Sequence, residues 1–311
     1  MSRKIAFVFP GQGSQKVGMG RDWAEAFPAA RAAFEEADRV LGFDLTRLCW
    51  EGPEEELTLT ANLQPALVAA SVAILRAVET TGVAPAAVAG HSLGEYSALV
   101  AARTLELADA LSLTRRRGEL MQEAVPVGEG AMAAILALDD DAVREIVAEA
   151  AHGEVLSVAN LNAPGQVVVA GHRAAVERAV ELARERRGKP RILPVSAPFH
   201  CPLMAPARAG LAPLLAETSF HDPAVPVVTN VDAAPAASGA AAREALERQI
   251  DSPVRWVESV EWMIDQGGVE AFAEVGPGSV LLNTIKRIRP EVARIELRGP
   301  ADLATLTEEA R

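Results

Sequence analysis

Residues 5–9, Ile5-Ala6-Phe7-Val8-Phe9, are apolar without a polar alternate. Such a run predicts a strand buried on both faces, as in a parallel sheet. It ends in the loop Pro10-Gly11-Gln12-Gly13-Ser14-Gln15, whose glycines let backbone amides approach a ligand. Over 22–41, Trp23, Phe27, Ala30, Phe34 and Ala37 share one helical stripe, so the spacing predicts one helix. Gly52-Pro53 breaks the chain, and Pro65 is expected to open a long helix running to Arg76. A short apolar run at 86–89 predicts a second strand. Helical patterns follow at 95–102 and 109–123.

From 131 the rhythm changes. Strands are predicted at 131–136, 156–161, 166–170 and 191–195, with helices at 139–151 and 174–187. The order βαββαβ is that of a ferredoxin-like unit, read as a small subdomain inserted over 129–197. Beyond it, strands at 225–230, 269–275 and 294–297 alternate with helices through Leu214, over 243–250 and after Gly276-Pro277-Gly278. The remainder, 1–128 and 198–311, is therefore expected to be α/β with a mostly parallel sheet.

The candidate chemistry centres on Gly90-His91-Ser92-Leu93-Gly94, set between the strand at 86–89 and the helix at 95–102. Strand, sharp turn and helix are the setting of a nucleophile elbow, in which Ser92 Oγ stands above the sheet edge. The Leu93 N–H would then point from the helix start toward an oxyanion. Leu107, Leu111, Thr114, Arg117 and Met121 fall on one face of the 109–123 helix region. Arg115 and Arg116 can face water, but Arg117 lies on the apolar stripe, and a buried guanidinium needs an anion. Either an internal partner or a snorkelling side chain satisfies it, or Arg117 grips a substrate carboxylate bidentately. His200 sits in a loop stiffened by Pro198 and Pro202 at the crossover between the two parts. It is a structural loop histidine or a base. His91 should point away from Ser92, and His152, His172 and His221 are expected at the surface.

Composition narrows the function classes. The 311 residues carry a net charge of −12, which disfavours nucleic-acid binding, since phosphate needs a basic face. Cys49 and Cys201 have neither metal-ligand spacing nor a disulfide framework, so a reducing cytoplasm is expected. The apolar stretch before Pro10 is too short for a secretory signal, and no uninterrupted apolar run is long enough to span a bilayer.

Seven segments then occur in order: the 11–15 loop, Gly90-His91-Ser92-Leu93-Gly94-Glu95-Tyr96, Arg117-Gly118-Glu119-Leu120-Met121-Gln122, Asn160-Leu161-Asn162-Ala163-Pro164-Gly165-Gln166, Phe199-His200-Cys201-Pro202-Leu203-Met204, Gln249-Ile250-Asp251-Ser252-Pro253-Val254-Arg255-Trp256 and Glu274-Val275-Gly276-Pro277-Gly278. The set resembles the malonyl-CoA:acyl carrier protein transacylase family over almost the whole chain. The resemblance implies an α/β-hydrolase-like large subdomain with a ferredoxin-like insertion. It implies Ser92 as nucleophile, His200 as base, the amides of Gln12 and Leu93 as oxyanion hole, and Arg117 as partner of the malonyl carboxylate. His200 would be oriented by the Gln249 carbonyl. Asn160, Asn162 and Gln166 would line the cleft, and Phe199 would favour malonyl over methylmalonyl. No cofactor is implied. The implied substrates are malonyl-CoA and the phosphopantetheine of a transiently bound acyl carrier protein. A monomer is the default expectation for the oligomeric state. Basic clusters at Arg184, Arg186, Arg187, Lys189 and Arg191, and at Lys286, Arg287 and Arg289, are candidate carrier contacts. A free-standing polyketide acyltransferase, a serine thioesterase and an inert synthase subunit are the competing readings.

Overall fold

The computed structural model describes residues 3–311. Its first elements are β1 (Ile5–Phe9), α1 (Arg21–Ala26), α2 (Pro28–Leu41), α3 (Leu45–Glu51), α4 (Glu54–Leu57), α5 (Thr60–Glu79), β2 (Ala87–Gly90), α6 (Gly94–Ala101) and α7 (Leu107–Glu123). The helix expected over 22–41 is two helices. Phe27 is extended and Pro28 starts the second, because a residue before proline is driven out of the α region. Pro65 does not open α5 but lies inside it. The missing proline N–H removes one helical bond. Burial of Thr60, Leu63 and Gln64 holds the turn before it.

By length and composition α5 is also long and apolar enough to cross a membrane, which the sequence reading did not anticipate. In the fold 83% of its most apolar window is buried, so its partners are α2 and α7 rather than lipid.

The middle of the chain gives β3 (Gly130–Leu136), α8 (Asp140–Ala150), β4 (Leu156–Ala163), β5 (Gln166–His172), α9 (Arg173–Glu185) and β6 (Lys189–Ile192). These strands form one antiparallel sheet in the order β4-β5-β3-β6. Residues alternate between its faces. Ala133, Ile135, Val167 and Val169 pack with α8 and α9, whereas Met132, Val168 and Ala170 join the main core. β6 begins earlier than expected: Lys189–Ile192 pair with β3, the Leu193 N–H donates once more to β3 at the Met132 carbonyl (2.9 Å), and Leu193 and Val195 face a cavity.

The chain continues through α10 (Ala205–Glu217), β7 (Val227–Val228), α11 (Gly239–Gln249), α12 (Trp256–Asp265), β8 (Ala271–Glu274), α13 (Val280–Ile288), β9 (Ala293–Glu296) and α14 (Leu303–Glu309). β7 is far shorter than the strand expected over 225–230. Pro226 cannot donate to a ladder, and Thr229 already closes a turn with Ala233 and Ala234. With β1 and β2 these strands make a wholly parallel sheet in the order β7-β2-β1-β8-β9. Both faces are buried. Phe7, Phe9 and Val88 face the core containing α5, and Val8, Ala89 and Phe272 face α12 and α13. Parallel pairing puts the ends of β1, β2 and β7 on one edge, where open α/β sheets build their sites. Backbone bonds from Leu161 to Val254 and from Val254 to Ala159, both 2.9 Å, tie the second sheet to that edge.

Candidate active site

Ser92 follows β2 in a turn too tight for ordinary side chains. A Cβ on Gly90 would lie 1.9 Å from the Gly94 carbonyl carbon, and one on Gly94 would lie 2.0 Å from the Phe9 carbonyl oxygen. Only glycine at both positions lets the strand, turn and helix close. Ser92 itself has φ 51, in the left-handed region that a side chain rarely occupies. Such strain costs on the order of 1–3 kcal/mol and persists only where surrounding contacts enforce it. Here the Ser92 N–H donates to Asn230 Oδ1 at 2.6 Å, and Asn230 Nδ2 donates to the Gly90 carbonyl at 2.7 Å.

His200 also has a left-handed backbone, φ 60. Its loop lies between β6 and α10 and delivers the ring into the edge above Ser92. Nε2 is 2.6 Å from Ser92 Oγ, and Nδ1 is 2.9 Å from the Gln249 carbonyl oxygen. A carbonyl only accepts, so Nδ1 carries the proton and Nε2 presents a lone pair to the hydroxyl. That tautomer suits a general base. Burial first, and the Arg117 charge second, push His200 down to about 3, so the ring is neutral at physiological pH.

The sign of the pH effect follows. The unfolded chain protonates this histidine near its ordinary value, while the folded chain resists until about 3. The neutral ring therefore supports the fold above the ordinary histidine value, and that support is lost as pH falls through this window. A ¹³C-labelled histidine spectrum is expected to show the His200 ring unchanged from pH 8 to pH 5. A midpoint near 6.5 would mean that the ring is hydrated rather than buried.

Arg117, on the inner face of α7, is only 2% exposed. Nη1 donates to Gln64 Oε1 at 2.7 Å, Nη2 to Gln249 Oε1 at 3.0 Å and to Ser92 Oγ at 3.2 Å. Its holders are neutral amides: among the described residues no carboxylate pairs with it, and its buried Nε has no partner. Burial lowers its affinity for its proton, yet a guanidinium remains charged in proteins. The site thus holds a cation with no directly bonded anion beside the hydroxyl of Ser92; Glu95 reaches it only through the Gln249 amide and at a distance through its charge.

One cavity joins these groups. Gln12, Ser92, Leu93, Arg117 and His200 line it, together with Asn160 and Phe199. Gln12 and Leu93 come from the loop after β1 and the start of α6. Among the described residues, neither amide donates to a protein acceptor. Both are available to an oxyanion formed at Ser92. Two expected lining residues lie elsewhere. Asn162 Oδ1 holds His91 Nε2 at 2.7 Å, and Gln166 Oε1 accepts from Arg287 at the surface at 2.5 Å. Asn160 and Asn162 share parity on β4, but register shifts between Val158 and Asn160 and between Leu161 and Ala163 break the alternation; Asn160 reaches the cavity, and the chain turns at Pro164-Gly165 before Gln166 opens β5.

His91 differs from expectation, because it lines the same cavity while bonded to Asn162 and set edge-on against Trp256. His172 is half-buried, its Nδ1 accepting the Val155 N–H at 2.9 Å. His152 and His221 are exposed, as expected. Gln64, Asn230 and Glu95 were not foreseen. Gln64 stood in an apolar run, and Asn230 follows a strand end. Glu95 is a carboxylate on a helix that is otherwise apolar, the same anomaly that marked Arg117.

A half-buried serine bonded to a buried histidine, with free amides and a cationic holder, is the equipment of an acyl-transfer enzyme. Residues 6–299 match the acyl transferase domain, and the chain belongs to that family. The malonyl CoA-acyl carrier protein transacylase of Escherichia coli (strain K12) is 51% identical over 309 residues, covering 98% of this chain and 99% of that protein. The structure of the malonyl CoA-acyl carrier protein transacylase from Coxiella burnetii is 43% identical with a TM-score of 0.97, covering 100% of this chain and 98% of that one. A malonyl-transacylase in complex with its type II PKS acyl-carrier protein is 48% identical with a TM-score of 0.95, covering 98% and 99%.

Proposed function

We propose that this protein moves a malonyl group from malonyl-CoA to the phosphopantetheine thiol of an acyl carrier protein through a malonyl-Ser92 intermediate. The observation that carries the reading is convergence on one atom. Ser92 Oγ has His200 Nε2 at 2.6 Å and Arg117 Nη2 at 3.2 Å.

His200 takes the Ser92 proton as Oγ attacks the thioester carbonyl. The Gln12 and Leu93 amides receive the oxyanion. Loss of one such donor typically costs about 10²–10³ in rate. The carbonyl re-forms, the C–S bond breaks, and His200 returns the proton to the coenzyme A thiolate. The carrier thiol then reverses the sequence. It gives its proton to His200 and attacks malonyl-Ser92, and Ser92 leaves with the proton from His200. Arg117 pairs with the malonyl carboxylate throughout, and the Gln249 carbonyl keeps the His200 tautomer. Phe199, buried on the cavity wall, limits space beside the malonyl methylene and disfavours methylmalonyl.

The likeness to named transacylases supports the same reading. In this reading the chemistry needs no bound cofactor, the enzyme works as a cytoplasmic monomer, and the carrier binds transiently. Residues 1–128 and 198–311 form the α/β-hydrolase-like catalytic subdomain and 129–197 the ferredoxin-like one. The acceptor is a fatty-acid carrier, with a polyketide carrier as the second reading, favoured by the relative whose structure holds one. Incubation with malonyl-CoA and the phosphopantetheinylated carrier is expected to load the carrier and release coenzyme A in equal amount. Release of free malonate instead would point to a thioesterase.

The carrier is acidic and the chain is too, so docking needs local positive charge. Arg184, Arg186 and Arg289 are paired with acidic neighbours, and Arg287 is spent on Gln166 and the Pro164 carbonyl. Arg187, Lys189, Arg191 and Lys286 are exposed, and no ion pair to them occurs among the described residues. Reversing Arg191 or Lys286 to glutamate is expected to raise the KM for the carrier several-fold and leave that for malonyl-CoA unchanged. Equal effects on both substrates would remove these residues from the docking surface.

A further inference from the structure

Beneath the elbow lies a carboxylate with no part in the chemistry above. Glu95, the second residue of α6, is fully buried. Its Oε2 accepts the Asn230 backbone N–H at 2.8 Å and Gln249 Nε2 at 3.0 Å. Its Oε1 has no partner. Asn230 is the residue that accepts the Ser92 N–H, and Gln249 is the residue that receives Arg117.

We infer that Glu95 is a positioning residue for malonyl selection: it fixes the Gln249 side-chain amide so that its oxygen faces Arg117. An amide has a donor end and an acceptor end, and only one orientation fits here. A backbone N–H already donates to Oε2 of Glu95, so that oxygen is an acceptor and Gln249 must present its NH₂ to it. The same NH₂ also donates to the Ser92 carbonyl at 3.0 Å. Arg117 only donates, so the amide oxygen must face it. Without an acceptor at Glu95 the NH₂ keeps only the Ser92 carbonyl, so the amide is held at one point fewer and its oxygen shifts against the guanidinium. The Arg117 fork would then shift relative to Ser92. Charge on Glu95 is not required for this role. Burial pushes its carboxyl up to about 7, and the oxygen accepts in either state.

This inference rests on Arg117 as the carboxylate holder, and the test separates the two. The readout is the ratio of kcat/KM for malonyl-CoA over acetyl-CoA in Glu95→Met, Glu95→Gln and Arg117→Ala. Methionine keeps the length and loses the acceptor; glutamine keeps one. Misplacement of a buried holder by about 1 Å can cost up to roughly a hundredfold. Glu95→Met is expected to lower the ratio about ten- to a hundredfold, while Glu95→Gln retains it. A merely structural role would reduce both donors alike and leave the ratio unchanged, which would overturn the inference. Loss of the ratio in Glu95→Gln would overturn it as well. Should Glu95→Met not fold, Glu95→Leu takes its place, with a lowered ratio supporting the inference and an unchanged ratio refuting it. If Arg117→Ala loses the preference and folded Glu95→Met keeps it, only the Glu95 role falls. If Arg117→Ala keeps the preference, the carboxylate-holder reading falls and this one with it.

Discussion

Arg117→Ala is expected to erase most of the preference for malonyl over acetyl donors, a loss of up to roughly ten-thousand-fold in the kcat/KM ratio. The magnitude follows from what Arg117 lacks. It is buried, Gln64 and Gln249 offer it only neutral oxygens, and its Nε is unpartnered. A malonyl carboxylate supplies the missing anion. An acetyl donor supplies nothing and leaves the desolvated guanidinium without a directly bonded anion, which is the situation that makes polar sites reject truncated substrates. Alanine removes both the reward for malonyl and the penalty for acetyl. Arg117→Lys is expected to restore only part of the ratio, because an ammonium cannot span two amide oxygens and a carboxylate as a planar fork does. Competition assays with the two donors give the ratio directly. A strong malonyl preference surviving in Arg117→Ala would mean that another residue reads the carboxylate.

The second large effect concerns the pair at the centre of the site. Ser92→Ala and His200→Ala are each expected to lower kcat for malonyl transfer by a factor approaching a million, the scale seen when one member of such a unit is removed. The double variant is expected to be no slower than the slower single one. Oγ and Nε2 lie 2.6 Å apart and share one proton transfer, so removing either removes the same step. Additive losses would show that the two residues serve separate steps. His200→Gln is a further check on orientation. It retains an acceptor near Oγ but cannot carry the proton, so its rate should stay close to that of the alanine variant.

Much of this site could be read from the chain because its chemistry breaks local pattern. A serine between two glycines at a strand-to-helix junction, and an arginine on an apolar helical stripe, each contradict their surroundings. The supporting shell was harder to read for the opposite reason. Gln64 and Asn230 are ordinary polar residues whose roles come only from what the fold packs against them, over sequence separations of 53 and 138 residues. Glu95 could have been found, since a carboxylate in the buried sequence of α6 is as anomalous as Arg117. Asn162 and Gln166 show the limit of carrying a motif over whole: register shifts in β4 part Asn162 from Asn160, which reaches the cavity, and Gln166 lies past the turn at the start of β5, at the surface with Arg287. In the fold, alternation of strands and helices was legible; short helices such as α3 and α12 were not read, and several boundary errors fell at proline. Pro28 splits one expected helix, Pro65 sits within another, and Pro226 helps shorten β7. Pro28 and Pro226 act locally, through the residue before proline and the missing N–H, whereas burial around Pro65 lets it stay inside its helix.

The most direct measurement is the intact mass of the purified protein after brief exposure to malonyl-CoA without carrier, beside Ser92→Ala. One added malonyl group, located on Ser92 by peptide fragmentation and absent from the variant, is the expected result. A protein that stays unmodified while coenzyme A is released, or a malonyl group on another residue, would contradict transfer through Ser92.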